Sequence, residues 1–394
     1  MNKLSIDQVK VNQKTLFIRV DFNAPIEDGK VTDNTRIKAA IPTIEYAIKN
    51  GAKVILASHL GRPDGEKNQK FSLRQIVSEL EELLGKSVTF IDDSIGPKVK
   101  EVIASKDYGD VLLLENLRFY KEEKANQESF AKELASLADI YVNDAFGAAH
   151  RSHASIEGIT KFIPQSVSGF LLKAEIDYFQ KGVANAAKPL AIVIGGAKVS
   201  TKLNAINNLI GTADILLIGG AMAFTFLHTL GFEIGKNLAE KELASDVEEI
   251  LKSAAKSKTK LYLPVDFLIA NSIEDATATD LVTYQELPED KLALDIGPAT
   301  IALFKLALNP AKTILFNGPM GLFENSAFAA GTFAICHTIS ESDALTVVGG
   351  GDSVSALKST GLDNKIDHIS TGGGAFLELL EGKELPGIAA LTDQ

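Results

Sequence analysis

The sequence predicts an α/β protein with two doubly wound, Rossmann-like domains, each built on a parallel sheet, that are joined by a hinge helix. Short apolar runs alternate with longer helix-compatible segments along all 394 residues, and this alternation is typical of repeated βα units. At about 150 residues per domain, the length allows two or three domains. A segment with helical spacing, 170–187, lies midway and ends before Pro189. We therefore expect domains at 1–170 and 188–375, linked by a helix over 171–187.

Apolar runs predict the strands of both domains. In the first half the runs lie at 16–20, 54–57, 88–91, 111–114 and 140–142. In the second half they lie at 190–194, 215–218, 261–263, 313–316 and 345–348. Amphipathic segments at 73–84 and 127–137 predict helices between first-half strands.

The charge balance and the cysteine count exclude several classes of protein. A formal net charge of −11 argues against a general nucleic-acid binder, because that class needs a basic stripe to displace phosphate counterions. The single cysteine, Cys336, excludes an internal disulfide, fits a reducing compartment and lies in an apolar run that predicts a buried thiol. No signal-peptide pattern and no run of about 20 apolar residues is visible. We expect a cytoplasmic protein with neither nucleic-acid nor membrane partners.

The residues that follow the strands differ between the two halves. Ligands of open α/β sheets bind outside the carboxyl ends of the strands. Charged and hydrogen-bonding side chains follow the first-half strands, namely Asp21, Asn23, His59, Arg62, Glu115, Arg118, Asn143, Asp144, His150 and Arg151. Glycines follow the second-half strands, namely Gly195, Gly196, Gly219, Gly220, Gly318, Gly349, Gly350 and Gly351. These patterns predict a small anionic substrate on the first domain and a nucleotide on the second.

The arginines support this division. All six lie in the first half, at Arg19, Arg36, Arg62, Arg74, Arg118 and Arg151. The guanidinium offers a fork of donors that suits carboxylate and phosphate. The distribution therefore favours anion binding by the first domain, with chance clustering of six residues as the alternative.

Each of these polar groups also has a structural interpretation. The segment 21–23 is typical of a turn, and a lone histidine such as His59 is more often structural than catalytic. His150 and His153 lack cysteine or carboxylate partners at metal-like spacing, so we expect no metal there. The charged run 121–124 predicts a solvated surface.

The segment 195–202 is the first of two glycine-rich segments that could hold phosphates. A glycine pair follows an apolar strand, and Lys198 and Lys202 lie at the start of the next helix-compatible stretch. Backbone N–H groups at a helix N-terminus attract anions, and glycine lets an anion approach closely. A tight strand-to-helix turn with solvated lysines is the alternative.

The second such segment is 349–353. Its glycines precede Asp352, which could hold Mg²⁺ that bridges phosphates. Asp352 or Ser353 is also suited to cap a helix predicted at 354–358. Neither glycine-rich segment matches G-x-G-x-x-G or the P-loop, and the protein-kinase motifs are absent. The residues by themselves predict phosphoryl transfer to a small anion.

Taken together, the motifs resemble the phosphoglycerate kinase family over essentially the whole chain. In the first half the matching stretches are RVDFNAP (19–25), TRIKAAIPTI (35–44), SHLGRP (58–63), LLLENLRF (112–119) and NDAFGAAHRSHAS (143–155). In the second half they are GGAKVSTKL (195–203), GGAMAFTFL (219–227), DIGPAT (295–300), FNGPMGLFE (316–324), GGGDSVSAL (349–357) and STGGGAFLELLEGKELPG (370–387). They occur in the order of the family and with similar spacing.

The resemblance implies reversible phosphoryl transfer between MgATP and 3-phosphoglycerate, which gives MgADP and 1,3-bisphosphoglycerate. The positions that match the family's phosphoglycerate site are Asp21, Phe22, Asn23, Arg36, His59, Leu60, Gly61, Arg62, Arg118 and Arg151. The positions that match its nucleotide site are Gly195, Lys198, Lys202, Gly219, Asn317, Pro319, Glu324, Gly350, Gly351, Asp352 and Ser353. The residues expected to act on the transferred phosphoryl group are Arg36, Lys198, Gly351 and Gly374.

The resemblance also implies Mg²⁺ at Asp352, the ribose at Glu324, a monomer, hinge bending and a tail, 376–394, that returns to the first domain. One departure from the family pattern is Ala293, where the family usually has glycine near the nucleotide pocket. Two other classes fit the α/β pattern less well. A nicotinamide dehydrogenase would need the dinucleotide fingerprint, and a two-domain solute-binding protein would need an export signal.

Overall fold

The computed structural model describes residues 2–274 and 280–394. Its contacts divide the chain into two compact units. Unit 1 comprises Met1–Asp177 and Glu384–Gln394, and unit 2 comprises Tyr178–Lys383. The domain limits expected from the sequence, including the tail at 376–394, stay predictions.

Unit 1 is an α/β layer structure. Its strands are β1 Thr15–Val20, β2 Ile26–Glu27, β3 Lys30–Val31, β4 Lys53–Ala57, β5 Val88–Ile91, β6 Val111–Leu114, β7 Ile140–Asp144 and β8 Ser166–Ser168. Its α-helices are α1 Thr35–Lys49, α2 Val77–Leu84, α3 Pro97–Ala104, α4 Lys121–Lys124, α5 Glu128–Ala135 and α6 Phe170–Phe179, of which α6 continues across the unit boundary. The main sheet has six parallel strands in the order β5-β6-β4-β1-β7-β8.

Unit 2 repeats this plan and adds a small antiparallel sheet. Its strands are β9 Leu190–Ile194, β10 Ile215–Ile218, β11 Lys260–Tyr262, β12 Asp266–Ala270, β13 Asp280–Thr283, β14 Leu292–Ile296, β15 Thr313–Asn317, β16 Leu345–Val348 and β17 His368–Ile369. Its helices are α7 Leu203–Leu209, α8 Ala223–Thr229, α9 Ala244–Lys256, α10 Pro298–Leu308, α11 Ala330–Ser340, α12 Gly351–Thr360 and α13 Gly374–Leu380. The parallel sheet runs β11-β10-β9-β15-β16-β17, and the antiparallel sheet runs β13-β12-β14. Helix α14, Pro386–Ala389, belongs to unit 1.

Short helical turns complete the connections. The 3₁₀ turns are Ile6–Gln8, Gln69–Phe71, Leu73–Ile76, Leu117–Phe119, Phe146–Ala148, Gly158–Lys161, Lys241–Leu243, Ser326–Phe328 and Asp363–Lys365. A π-helical turn, Gln180–Ala184, follows α6. The helix predicted at 73–84 is therefore a 3₁₀ turn followed by α2, and the one predicted at 170–187 ends at Ala184.

The predicted fold class is confirmed as α/β with two parallel sheets flanked by helices. Every residue of β4, β9 and β15 is buried, as expected for parallel strands that are covered by helices on both faces. The sulfur-bearing residue Cys336 is buried as predicted. No helix in the described ranges is long and apolar enough to cross a membrane.

The strand orders determine where ligands can bind. In unit 1 the chain moves outward from β1 to β4 and later returns to the other side at β7; in unit 2, β9 lies between β10 and β15 in the same way. Such reversals open a crevice at the carboxyl ends of the central strands. The crevices are thus expected after β1 and β9.

Two leucines in unit 2, one buried and one exposed, test how much the core contributes to the stability of the protein. Leu315 on β15 is fully buried, whereas Leu306 on α10 is 73% exposed. We expect Leu315→Ala to lower the free energy of unfolding by about 2–5 kcal/mol, because it leaves a cavity in a closely packed core. Leu306→Ala should change it by less than about 0.5 kcal/mol. Urea denaturation followed by circular dichroism measures both, and equal losses would contradict the placement of the core.

Candidate functional site

The first candidate site lies at the carboxyl ends of β1 and β4 in unit 1. The Asp21 carboxylate accepts hydrogen bonds from the Arg36 guanidinium at 3.1 Å and from the backbone N–H of Asn23 at 3.3 Å. The Asn23 side-chain oxygen accepts from the backbone N–H of Gly61 at 2.8 Å, which joins the two strand ends. The Arg36 side chain is 40% exposed, so part of its donor fork is accessible to an anion.

His59 is a neutral donor at this edge. Burial lowers its pKa well below the usual value, and four neighbouring arginines, Arg19, Arg118, Arg151 and Arg36, act in the same direction. The Arg19 guanidinium lies 3.2 Å from Nδ1 of His59. Because a guanidinium only donates, Nδ1 accepts this bond and the proton is assigned to Nε2.

Arg118 is held rigidly beside His59. Its guanidinium donates to the carbonyl of Gly61 at 2.9 Å, and its backbone N–H donates to the side chain of Asn116 at 3.0 Å. Asn116 also donates to the carbonyls of Leu60 and Phe71. Burial, with Arg151 and Arg19 nearby, lowers the pKa of Arg118 to about 10. The Nε–H of Arg118 is buried and has no protein partner, so it is a donor that a ligand could satisfy.

The remaining predicted positions in unit 1 differ in exposure. Phe22 and Leu60 have buried side chains, so only their backbone groups can face a ligand. Arg62 is exposed, and Arg151 is half-buried with its Nε–H donating to Nε2 of His150 at 3.1 Å. Arg151 lies close enough to shift His59, whereas no hydrogen bond ties Arg62 to the cluster among the contacts of the described residues.

Two further residues of this edge were not among the predicted site positions, although Arg19 is one of the six first-half arginines. Arg19 has no exposed surface, and its Nε–H donates to the hydroxyl of Ser155 at 2.9 Å. Their signal in the sequence is weak: only the charged Arg19 inside an apolar strand indicates a paired buried charge.

The prediction of a solvated charged surface at 121–124 is wrong for Glu123. This side chain is fully buried. Its carboxylate accepts the backbone N–H and the hydroxyl of Ser155 at 2.9 and 2.6 Å. Burial raises the pKa of Glu123, and Arg19 and Ser155 oppose the rise. A short helix that packs inward, α4, buries this one residue of the run.

The second candidate site lies at the carboxyl ends of β9 and β15 in unit 2, where glycine loops touch one another. A Cβ on Gly195 would lie 2.1 Å from the carbonyl oxygen of Pro319. One on Gly220 would lie 2.5 Å from the backbone nitrogen of Gly196. One on Gly219 would lie 2.3 Å from the sulfur of Met320. These glycines are explained by close packing of the loops.

Lys202 supplies a half-buried ammonium group to this site. Its ammonium donates to the carbonyls of Gly195 and Asn317 at 2.5 and 2.8 Å. Burial lowers its pKa to about 8, although the nearby Asp352 acts in the opposite direction. An ammonium has three N–H donors, so one remains for an anion.

Helix α12 begins differently from the prediction. The helix starts at Gly351, and its N-cap is Gly350 with φ of 93°, so neither Asp352 nor Ser353 caps it. The Ser353 hydroxyl instead accepts the backbone N–H of Gly318. The amide of Asn317 donates to the carbonyl of Gly349 at 3.0 Å, which ties the end of β15 to the start of α12.

Two cavities open here. One of about 260 Å³ is lined by Lys202, Asn317, Gly318, Gly350, Gly351, Asp352, Ser353, Gly373, Gly374 and Leu377. The other, of about 310 Å³, is mainly apolar and includes Gly196, Phe224, Phe267, Ala293, Pro319, Met320, Leu322, Glu324 and Asp352. Both include Asp352, so they adjoin. Lys198 is exposed and lines neither cavity.

The donor set of the smaller cavity fits a hydrated metal ion. Within 2–274 and 280–394, no group of three or more His, Cys, Asp or Glu residues could enclose a metal. Mg²⁺ usually keeps several waters and binds through one or two carboxylates plus substrate phosphates. The exposed carboxylate of Asp352 on the cavity wall meets that requirement.

The fold and these sites define the class as an α/β phosphotransferase. One unit presents an arginine cluster whose donor groups suit a small anion. The other presents a glycine-lined cavity with a lysine and an aspartate, beside an apolar cavity. Phosphoryl transfer relies on such positioning and charge stabilisation.

A profile of the phosphoglycerate kinase family matches residues 6–383. The chain belongs to the phosphoglycerate kinase family. The phosphoglycerate kinase of Geotalea uraniireducens (strain Rf4) is 51% identical over 390 residues, which is 98% of each chain. That of Moorella thermoacetica is 49% identical over 394 residues, which is 100% of each chain. The structure of phosphoglycerate kinase from Coxiella burnetii aligns with a TM-score of 0.91 at 38% identity and covers 98% of both chains.

Substitutions at two glycines of unit 2 can distinguish the effect of a steric clash from the effect of a strained backbone. Gly318 has φ of 103°, and its Cβ would lie 2.1 Å from the carbonyl oxygen of Gly195; Gly231 has φ of 88° and free space around it. We expect Gly231→Ala to lower the free energy of unfolding by about 1–2 kcal/mol through the left-handed backbone alone. Gly318→Ala should lower the free energy of unfolding by a further ~1–3 kcal/mol, because the added methyl group clashes with the neighbouring loop. Urea denaturation compares them, and a loss at Gly318 no larger than at Gly231 would contradict the loop contact.

Proposed function

We propose that unit 1 binds 3-phosphoglycerate and unit 2 binds the adenine nucleotide in the reaction that this chain catalyses as a phosphoglycerate kinase family member. That reaction is the reversible transfer of a phosphoryl group between ATP and the carboxylate of 3-phosphoglycerate, which gives ADP and 1,3-bisphosphoglycerate. The observation that carries the assignment is the separation of the arginine cluster, in unit 1, from the lysine-bearing glycine cavity, in unit 2.

The chemistry of unit 1 supports the phosphoglycerate assignment. The substrate carries a phosphate and a carboxylate, and guanidinium groups bind both by paired hydrogen bonds. Arg36 has accessible donors, and the buried Nε–H of Arg118 has no protein partner. The neutral His59 adds an N–H donor without adding a charge.

The chemistry of unit 2 supports the nucleotide assignment. The apolar cavity offers Phe224, Met320 and Leu322 to a flat base, and Glu324 on its wall could accept ribose hydroxyls. The adjoining cavity offers Lys202 and the amides at the start of α12 to phosphates. Ala293 lines the apolar cavity, so its methyl group is placed to affect nucleotide affinity.

Asp352 would hold Mg²⁺ beside these phosphates. A bound Mg²⁺ would neutralise phosphate charge during transfer. Asp352 and Lys202 line the same cavity, so the protein offers the phosphates one group for the metal and one direct cation.

The chain needs no catalytic base for this reaction. The attacking group is a carboxylate, which is ionised at neutral pH since carboxyl pKa values are about 4. The remaining requirement is alignment and charge stabilisation. We assign Arg36 and Lys198 to the charge of the transferred phosphoryl group, assisted by the amides of Gly351 and Gly374. Both side chains are at least partly exposed and so are available for this role.

A coupled assay tests the proposal directly. ADP formation from ATP is followed with and without 3-phosphoglycerate, and we expect it to depend on that substrate. ATP consumption that is indifferent to 3-phosphoglycerate would contradict the function. Light scattering on the purified protein tests the monomer that we also propose.

Arg36 should affect turnover more than any other exposed arginine. We expect Arg36→Ala to lower kcat by about 100-fold, the typical loss when one charge-stabilising donor is removed. Arg74→Ala makes the same chemical change at an exposed residue whose guanidinium lies over the ring of Phe90. Arg74→Ala should leave kcat within about twofold. A kcat for Arg36→Ala within a few-fold of wild type would show that its assigned role is wrong.

Lys202 should make nucleotide binding depend on pH. Its pKa of about 8 in the ligand-free protein means that it is a cation below pH 8 and increasingly neutral above. Because phosphate binds the cation, ADP affinity should fall about five- to tenfold per pH unit above pH 8. Lys202→Met should weaken ADP binding at pH 7 and abolish this slope, whereas Lys252→Met, at an exposed lysine of α9, should keep it. Calorimetric titration at pH 7–9.5 measures the slope, and a slope that survives in Lys202→Met would assign it elsewhere.

A further inference from the structure

A chain of buried hydrogen bonds leads from Glu123 to the proposed substrate site of unit 1. Glu123 on α4 accepts the hydroxyl of Ser155 at 2.6 Å. That hydroxyl accepts the Nε–H of Arg19 at 2.9 Å. Arg19 then donates to Nδ1 of His59 at 3.2 Å. Glu123, Ser155 and Arg19 have no exposed surface, and His59 has 4%.

The direction of each bond is determined by its donor. A guanidinium has donors only, so Ser155 Oγ and His59 Nδ1 both accept from Arg19. Since Ser155 Oγ accepts from Arg19, its own proton is directed to Glu123. The Asp21 carboxylate lies 4.0 Å from His59 Nδ1, which is too long for a hydrogen bond.

Further contacts hold the middle of this chain in place. The backbone N–H of Ser155 donates to the second oxygen of Glu123 at 2.9 Å. The Tyr141 hydroxyl, itself buried, donates to the carbonyl of Ser155 at 2.8 Å. His153 also lies close to Glu123, with 3.8 Å between Nδ1 and Oε1. Ser155 is therefore oriented at its amide, carbonyl and hydroxyl.

We propose that Glu123 is a positioning residue for phosphoglycerate binding, which acts through Ser155 and Arg19 to hold His59 with its proton on Nε2. This inference rests on the proposed function, because it gives His59 a substrate to which it donates. Glu123 itself does not touch the substrate. It selects the orientation of Ser155, which leaves Arg19 free to donate to His59.

The tautomer of His59 in the ligand-free protein is the readout that a merely structural role would not change. Long-range ¹H–¹⁵N correlation spectra distinguish the two tautomers, and His59→Gln identifies the resonance. We expect the Nε2–H form in wild type. Glu123→Gln converts one acceptor to a donor, so Ser155 loses one of its two bonds to that residue, and Ser155→Ala removes the acceptor of Arg19. Both variants should show a mixture of tautomers or the Nδ1–H form.

Steady-state kinetics gives a second readout. We expect Glu123→Gln and Ser155→Ala to raise KM for 3-phosphoglycerate by about tenfold or more, with KM for ATP within about twofold. The double variant should resemble the worse single variant, because both changes interrupt one chain. The controls are Glu122→Gln, the same change at the half-buried neighbour of Glu123, and Ser152→Ala at an exposed serine. Both controls should match wild type.

The outcomes separate this inference from the proposed function. A His59 tautomer that is unchanged in folded Ser155→Ala would overturn the positioning role, even if Glu123→Gln failed to fold. A parallel rise in KM for ATP would also overturn it, because the defect would then be general. If wild type itself failed to use 3-phosphoglycerate, the proposed function would fail, and the ligand-free spectra would still decide whether the chain orients His59.

Discussion

A buried arginine in the central strand of unit 1 is the constraint on which its candidate binding edge depends. The Arg19 side chain has no exposed surface, and an isolated buried charge is very unfavourable unless it is paired and hydrogen-bonded. Its guanidinium donates to His59, to Ser155 and to the carbonyl of Val20. The hydrogen bonds of this guanidinium therefore join the ends of β1 and β4 to the segment after β7. The accessible arginines are arranged around this buried charge.

In unit 2, backbone groups rather than side chains hold the charged group in place. Its loops after β9, β10 and β15 approach so closely that Gly195, Gly220 and Gly318 have no space for a Cβ. The close approach lets Lys202 donate to two carbonyls from different loops. The cation is thereby held at the cavity wall with a lowered pKa. One unit presents guanidinium groups, and the other presents amides with one ammonium, which suits two different anions.

Much of the fold could be predicted because strands that are buried on both faces form continuous apolar runs. The runs at 16–20 and 313–316 match β1 and β15 within one residue at each end. The antiparallel sheet β13-β12-β14 was not predicted. Strands β13 and β14 are partly exposed, which interrupts their apolar runs, whereas β12 is mostly buried but its short apolar run was not assigned to a strand. Helix α1 was also not predicted, because it contains Pro42 and proline is unfavourable in a helix interior.

The sequence by itself determined the fold class, the family and the two kinds of strand end, because these depend on local apolar runs and on motifs in a fixed order. Only the tertiary structure decided which charges are buried and what they contact. Glu123 lies in a run of charges that looks solvated, yet it is buried against Ser155, 32 residues further along the chain. Asp352 does not cap helix α12, because Gly350 occupies the N-cap position. Such contacts join residues that are distant in sequence, and burial, which sets their pKa values, depends on the whole fold.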